Sequence, residues 1–256
     1  MKYVLICLFV FIILCFTALT VLQQEKETVS ILFIGNSLTY ENNLPKMVKK
    51  LAASHGGRVD VESHTIGGAR LREHASSTRL QQLFNQQQWD YVVLQEQSQM
   101  TGFSEEQIGR DVSPYAKRLV KLAKESSPDT RIIFYMTMAR KNGDPENVHA
   151  YPDLKTYRGM QRRVNSSYRR LAAENRASIA PVGEIWQAVR RERPQLELYR
   201  DSIHPNRTGT YLAACVFYTT IFNQPNKGTY IPYGVDEEAA NYICTLIDRT
   251  ILESTE

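Results

Sequence analysis

The stretch Val29-Ser30-Ile31-Leu32-Phe33-Ile34-Gly35-Asn36-Ser37-Leu38-Thr39 decides the reading of this chain. Its first six residues form a largely apolar run, too short for a helix and rich in β-formers, which predicts a buried strand. Gly35 permits a sharp turn where that strand exits. Ser37 then sits at a strand's carboxyl end, near a helix start whose free N–H groups favour a developing negative charge. A serine there also suits a loop or a helix cap.

Working outward, Leu44, Met47, Val48, Leu51 and Ala52 recur at spacings of 3 and 4, one face of a helix, with Asn43 as cap and Pro45 in the first turn. Val59–Glu62 and Tyr91–Gln95 read as the second and third strands. Ser104 with Gln107 makes a capping box for a long helix reaching Ala123. Ile132–Thr137 reads as the fourth strand, Tyr157–Glu174 as an amphipathic helix and Ile179–Val182 as the fifth strand. Pro205 and Asn206 introduce a helix over Gly209–Phe222, and Asp236–Leu252 closes the chain as another. Strands alternating with helices predict the α/β class: one domain, a three-layer α/β/α sandwich on a parallel sheet of about five strands. In such sheets ligands lie beyond the carboxyl ends of the strands.

The composition agrees. Of 256 residues, 43% are hydrophobic and 23% charged, ordinary globular proportions. A net charge of +4, from 31 basic and 27 acidic residues, is too mild and scattered for a nucleic-acid partner. The twenty residues Tyr3–Leu22 carry no charge and could just span a bilayer. They read either as a signal peptide, with a loose small-residue site around Ala18-Leu19-Thr20, or as an N-terminal anchor giving membrane attachment through residues 3–22. A lipoprotein is disfavoured by bulky Leu14 before Cys15. Every one of these readings exports residues 23–256, so the expected location is periplasmic, membrane-anchored or secreted. Cys215 and Cys244 lie in apolar helical patterns as buried thiols, able to pair only if their Cα atoms approach within about 7 Å.

Near the other end stands Asp201-Ser202-Ile203-His204-Pro205-Asn206. A serine hydroxyl is a poor nucleophile at neutral pH and needs an adjacent base, usually an imidazole oriented by a carboxylate. Asp201 and His204, three apart before a helix, can set a carboxylate against an imidazole through a tight turn. Ser early and Asp-x-x-His late on an α/β chain is a far more specific pattern than either part alone.

With these motifs the chain, from about Ser30 to Ala214, resembles the SGNH, or GDSL-type, hydrolases. Gly35–Thr39 looks like that family's first block, with Asn36 where Asp is usual. Asp201–Asn206, with Gly209 following, looks like its last. The resemblance implies the flavodoxin-like SGNH fold, with Ser37 as nucleophile, His204 as general base and Asp201 as orienting carboxylate. It implies an oxyanion hole made by the Ser37 amide, a glycine amide and a side-chain amide. The second-block candidate is Thr65–Arg70, where Gly67 aligns best and Gly68 is the alternative. The usual third block, Gly-x-Asn-Asp, is replaced by Gln95-Glu96-Gln97-Ser98-Gln99. Counting from the strand puts Gln97 in the Gly position and Gln99 in the Asn position, and either amide could point into the hole. The alternative is a polar loop with no such role.

No cofactor is implied. Since the family includes carbohydrate acetylesterases, the expected protein is an exported serine esterase that removes small acyl groups, acetyl foremost, from a glycan or small-molecule ester. Lipid esters, thioesters and a catalytically lapsed carbohydrate-binding protein are the alternatives. No metal is expected: His55, after an amphipathic helix, reads as solvated, His64 and His74 flank the Gly67-Gly68 turn, His149 lies in a polar segment, and none has a ligand spacing. The long polar stretch Ala139–Lys155 offers Arg140, Asn142 and Tyr151 as a substrate rim. The pairs Arg162-Arg163, Arg169-Arg170 and Arg190-Arg191 read as solvated helix faces.

Overall fold

The computed structural model describes residues 28–226, 228 and 230–253. The apolar run Tyr3–Leu22, with its expected signal or anchor, lies outside them. Among the described residues no helix is long and apolar enough to cross a membrane.

Five strands form the sheet: β1 (Val29–Gly35), β2 (Val59–Thr65), β3 (Tyr91–Leu94), β4 (Arg131–Tyr135) and β5 (Ser178–Ala180). All neighbours pair parallel, in the order β2-β1-β3-β4-β5. The chain leaves β1 for one side and returns at β3 on the other. A crevice therefore opens at the carboxyl ends of β1 and β3, where ligands bind in such sheets.

Ile31, Leu32, Phe33 and Ile34 are all 0% exposed, because the central strand is covered on both faces. Ile31 and Phe33 join a core with Leu51 of helix α2 (Leu44–Ser54), Trp186 of α8 (Val182–Glu192), Phe217 of α9 (Arg207–Phe222) and Ile243 of α10 (Glu237–Ile247). Leu32 and Ile34 join the opposite core with Leu83 of α4 (Thr78–Gln86), Leu119 of α6 (Ser113–Ser126) and Tyr168 of α7 (Tyr157–Asn175). Each such side chain contributes about 1.5–3 kcal/mol by leaving water. The three-layer sandwich is as the alternation implied.

Several boundaries differ from expectation. The helix expected from Ser104 to Ala123 is two, α5 (Glu105–Asp111) and α6, broken at Val112. Pro114 explains the break: its ring clashes with the carbonyl four residues back inside a helix but fits a first turn. Ser104 caps the Gln107 amide at 3.2 Å. The Gln107 side chain accepts instead from the Tyr151 hydroxyl, so the capping box is half closed. β5 ends at Ala180, and Val182 opens α8 with Ile185, Trp186 and Val189 on its buried face. Two short helices before β3, α3 (Leu71–Ala75) and α4, were not expected. The closing helix ends at Ile247 and continues as a π-turn over Asp248–Leu252.

Candidate active site

Ser37 opens the four-residue helix α1 (Ser37–Tyr40) directly after β1. Asn36 caps it, accepting from the Leu38 amide at 3.1 Å and donating its own amide to the Ala69 carbonyl at 2.9 Å. That second bond needs a donor, which an ionised aspartate lacks. Just past β3, the buried Gln95 side chain accepts from the Asn36 amide (2.7 Å) and from the Thr39 hydroxyl (2.9 Å). Gly35 is required by this close approach: a Cβ there would meet Gln95 Oε1 at 2.4 Å and Thr39 Oγ1 at 2.5 Å.

Asp201 and His204 lie in the tight loop before α9, closed by the Arg200 amide on the His204 carbonyl at 2.9 Å. Asp201 Oδ1 accepts the Ile203 and His204 amides at 2.7 and 2.8 Å, and Oδ2 meets His204 Nδ1 at 2.9 Å. His204 Nε2 is 3.0 Å from Ser37 Oγ, across 167 residues of chain. Two ties beside Ser37 hold the loop there: Arg200 on Glu41 at 2.6 Å, and Asn42 on the Pro205 carbonyl at 3.2 Å. Partial desolvation pushes the Asp201 carboxyl up, but the His204 and Ile203 amides and the His204 ring outweigh it and hold it well below the usual range. A carboxylate thus fixed keeps the Nδ1–H tautomer, leaving Nε2 to accept from a hydroxyl.

A cavity of about 350 Å³ opens over these groups, lined by Ser37, Tyr40, Gly68, Gln97, Ser98, Arg140 and His204 among others. Gly68 occupies the third position of a turn closed by the Ala69 amide on the Ile66 carbonyl (3.1 Å), with φ +68. That positive φ suits glycine. Its neighbour Gly67 does not line the cavity. Gln97 is held by its Oε1, which accepts the Gln99 and Met100 amides at 2.9 and 3.3 Å. One N–H of its Nε2 goes to Gln99 Oε1 at 3.0 Å, and among the described residues the second has no hydrogen-bond acceptor. Gln99 is turned away, its amide donating to Asp144 at 3.0 Å and Glu146 at 3.4 Å. Of the two pairs left open by the sequence, the cavity receives Gly68 and Gln97, not Gly67 and Gln99.

Residues 33–212 match the profile of the GDSL-like lipase/acylhydrolase family. The chain belongs to this family. It is a hydrolase of ester bonds. No curated protein sequence matches it. Among solved structures, a DUF4886 family protein from Bacteroides uniformis is 19% identical, with a TM-score of 0.75 over 90% of this chain and 97% of its own. An SGNH hydrolase candidate from Slackia heliotrinireducens is 27% identical, with a TM-score of 0.61 over 76% and 100%. An acetyl xylan esterase is 16% identical, with a TM-score of 0.56 over 75% and 100%.

In this GDSL-family hydrolase the expected rim contracts to one residue. Arg140 lines the cavity, its guanidinium on buried Asp144 at 3.1 Å. Asn142 is exposed outside the cavity, and Tyr151 stacks on Phe103 at 5.0 Å. The loop closes on itself instead, the Asp144 amide on the Leu154 carbonyl at 2.8 Å. His55 is half-buried against Tyr218 (4.9 Å) rather than solvated. His74 is buried beside His64, their rings 5.1 Å apart. Cys215 and Cys244 are buried thiols, as expected. One arginine of each pair braces carbonyls rather than facing solvent: Arg163 holds Gly102 and Phe103 (2.6 and 2.7 Å), Arg170 holds Glu105 (3.3 Å) and Arg190 holds Lys141 (3.1 Å). Among the described residues no group of three or more His, Cys, Asp or Glu could hold a metal. The sequence offered no periodicity or spacing from which Gln95, Glu41, Tyr40 or Ser98 could be drawn to the site.

Proposed function

We propose that this hydrolase is an exported serine esterase that removes short acyl groups, acetyl foremost, from carbohydrate esters. The reading rests on the line Asp201–His204–Ser37, with contacts of 2.9 and 3.0 Å. His204 takes the Ser37 proton as Ser37 Oγ attacks the ester carbonyl, and Asp201 stabilises the imidazolium that forms. The Ser37 amide lies in a first helical turn, where no intrahelical acceptor exists. With the Gly68 amide and the Gln97 side chain it makes the oxyanion hole. His204 then protonates the leaving alcohol, and water frees the acid by the same route.

A short acyl group is supported by the cavity lining, which offers few apolar side chains beyond Leu38, Tyr40 and Ile203. The carbohydrate side is supported by the likeness to an acetyl xylan esterase. Export is supported by the uncharged run Tyr3–Leu22.

The test is hydrolysis of p-nitrophenyl acetate by the full chain and by Ser37→Ala, with an expected fall of about 10³-fold or more. A fluorophosphonate probe should label Ser37. Equal rates for the two proteins would overturn the serine mechanism. Acetate release from short lipid esters but not from acetylated polysaccharides would overturn the carbohydrate part. Recovery of the protein in the cytosolic fraction would overturn export.

A further inference from the structure

Glu96 is a carboxyl buried without a cation. It is 0% exposed, and no Lys, Arg or His among the described residues hydrogen-bonds to it. Its two oxygens go to different segments: Oε1 accepts the Gln97 amide at 2.6 Å, and Oε2 accepts the Leu71 amide at 3.2 Å. Gln97 is the side-chain donor over the cavity. Leu71 opens α3, three residues after Gly68. The Glu96 backbone amide donates to the Tyr168 hydroxyl of α7 at 3.2 Å, which anchors the Glu96 main chain.

We propose that Glu96 is a positioning residue for ester hydrolysis: one carboxyl group holds the Gln97 and Leu71 segments together and so sets the spacing between the Gln97 side chain and the Gly68 turn. This rests on the serine-esterase reading above. An apolar residue of the same size would leave two buried amides unpaired, and the turns would move to recover partners. Oxyanion donors must sit about 2.7–3.1 Å from the developing charge, so such a shift acts on the transition state more than on substrate binding.

The surroundings also set a pH dependence. Burial pushes the Glu96 carboxyl up to about 8. The Gln97 and Leu71 amides lower it against that burial, Glu73 adds to the rise, and Arg70 offsets it weakly from a distance. Arg70 is itself turned to Glu73 (3.9 Å) and the Met100 sulfur (3.8 Å). The Tyr168 hydroxyl is held protonated by burial and by Glu96. At neutral pH Glu96 is therefore mostly uncharged and itself adds no negative charge behind the oxyanion donors. Ionisation adds one in a site of low dielectric, where it opposes the oxyanion.

The experiment compares Glu96→Leu and Glu96→Gln with the wild type on p-nitrophenyl acetate, each active concentration set by fluorophosphonate titration of Ser37. Glu96→Leu is expected to lower kcat by about 10–100-fold with KM nearly unchanged. Glu96→Gln keeps one acceptor and should lose about three- to tenfold. In the wild type kcat should fall as pH rises through about 8, and Glu96→Gln should lack that fall. Both variants titrating fully with wild-type kcat, or a Glu96→Leu effect confined to melting temperature, would overturn the inference alone. Failure of the wild type to react at Ser37 would overturn the serine-esterase reading, and this inference with it.

Discussion

Replacing Gln97 with Ala removes a side-chain amide from the cavity wall and, with it, the acceptor of the Gln99 and Met100 amides. The Gln97 amide is held by the Glu96 carboxyl through main-chain atoms that alanine retains. The catalytic loss is one neutral donor to a developing oxyanion, about 2.7–4 kcal/mol, or about 10²–10³-fold in kcat, with little change in KM, and the freed Gln99 and Met100 amides add a cost in stability. Gln99→Ala is the matched control. It removes the 3.0 Å bond from Gln97 Nε2 to Gln99 Oε1, but Gln97 Oε1 keeps the amides of residues 99 and 100. One neutral hydrogen bond contributes about 0.5–1.5 kcal/mol, so Gln99→Ala should lose about two- to tenfold. Steady-state hydrolysis of p-nitrophenyl acetate, normalised to titrated Ser37, measures both. Equal losses in the two variants, or a Gln97→Ala kcat within about threefold of wild type, would refute this assignment of the donor.

Gly35→Ala should lower the melting temperature by the equivalent of about 1–3 kcal/mol and lower kcat too, because its Cβ collides with the Gln95 carbonyl that holds the Asn36 amide. An unchanged melting curve would show that Gln95 can move without cost. His74 gives a pH test of stability. Burial, then the neighbouring His64, push its ring from 6.5 down to about 4, outweighing the Gly35 carbonyl and Glu73. The unfolded chain then binds the extra proton first, so stability held above pH 6.5 is lost as pH falls from 6.5 through about 4. The loss is up to about 3 kcal/mol. Denaturant titrations across that window should show His74→Leu losing less than wild type, and parallel losses would exclude His74 as the cause.

The candidate residues Ser37, Asp201 and His204 were legible because their signals are local. A serine two residues past a buried strand and an Asp-x-x-His before a helix both depend on short stretches of backbone. The same holds for β1 and for the helix face at Leu44–Ala52. Elements with weak or divided signals were lost: α3 and α4 are short, and α8 begins where a strand was expected to continue. The break at Val112 was written in Pro114, but the Ser104–Gln107 pattern drew the helix through it.

By itself the sequence determined the alternation of strands and helices, the class of fold and the residue types available for acyl transfer. Tertiary structure decided which of two equivalent side chains faces the cavity. Gln97 and Gln99 have the same chemistry two positions apart, and nothing local separates them. Asp144, 45 residues further on, captures one amide, and the start of α3 meets the loop after β3 through Glu96. In a loop without a repeating backbone pattern, a side chain's direction follows the hydrogen bonds it can make, and those partners exist only once distant segments have met.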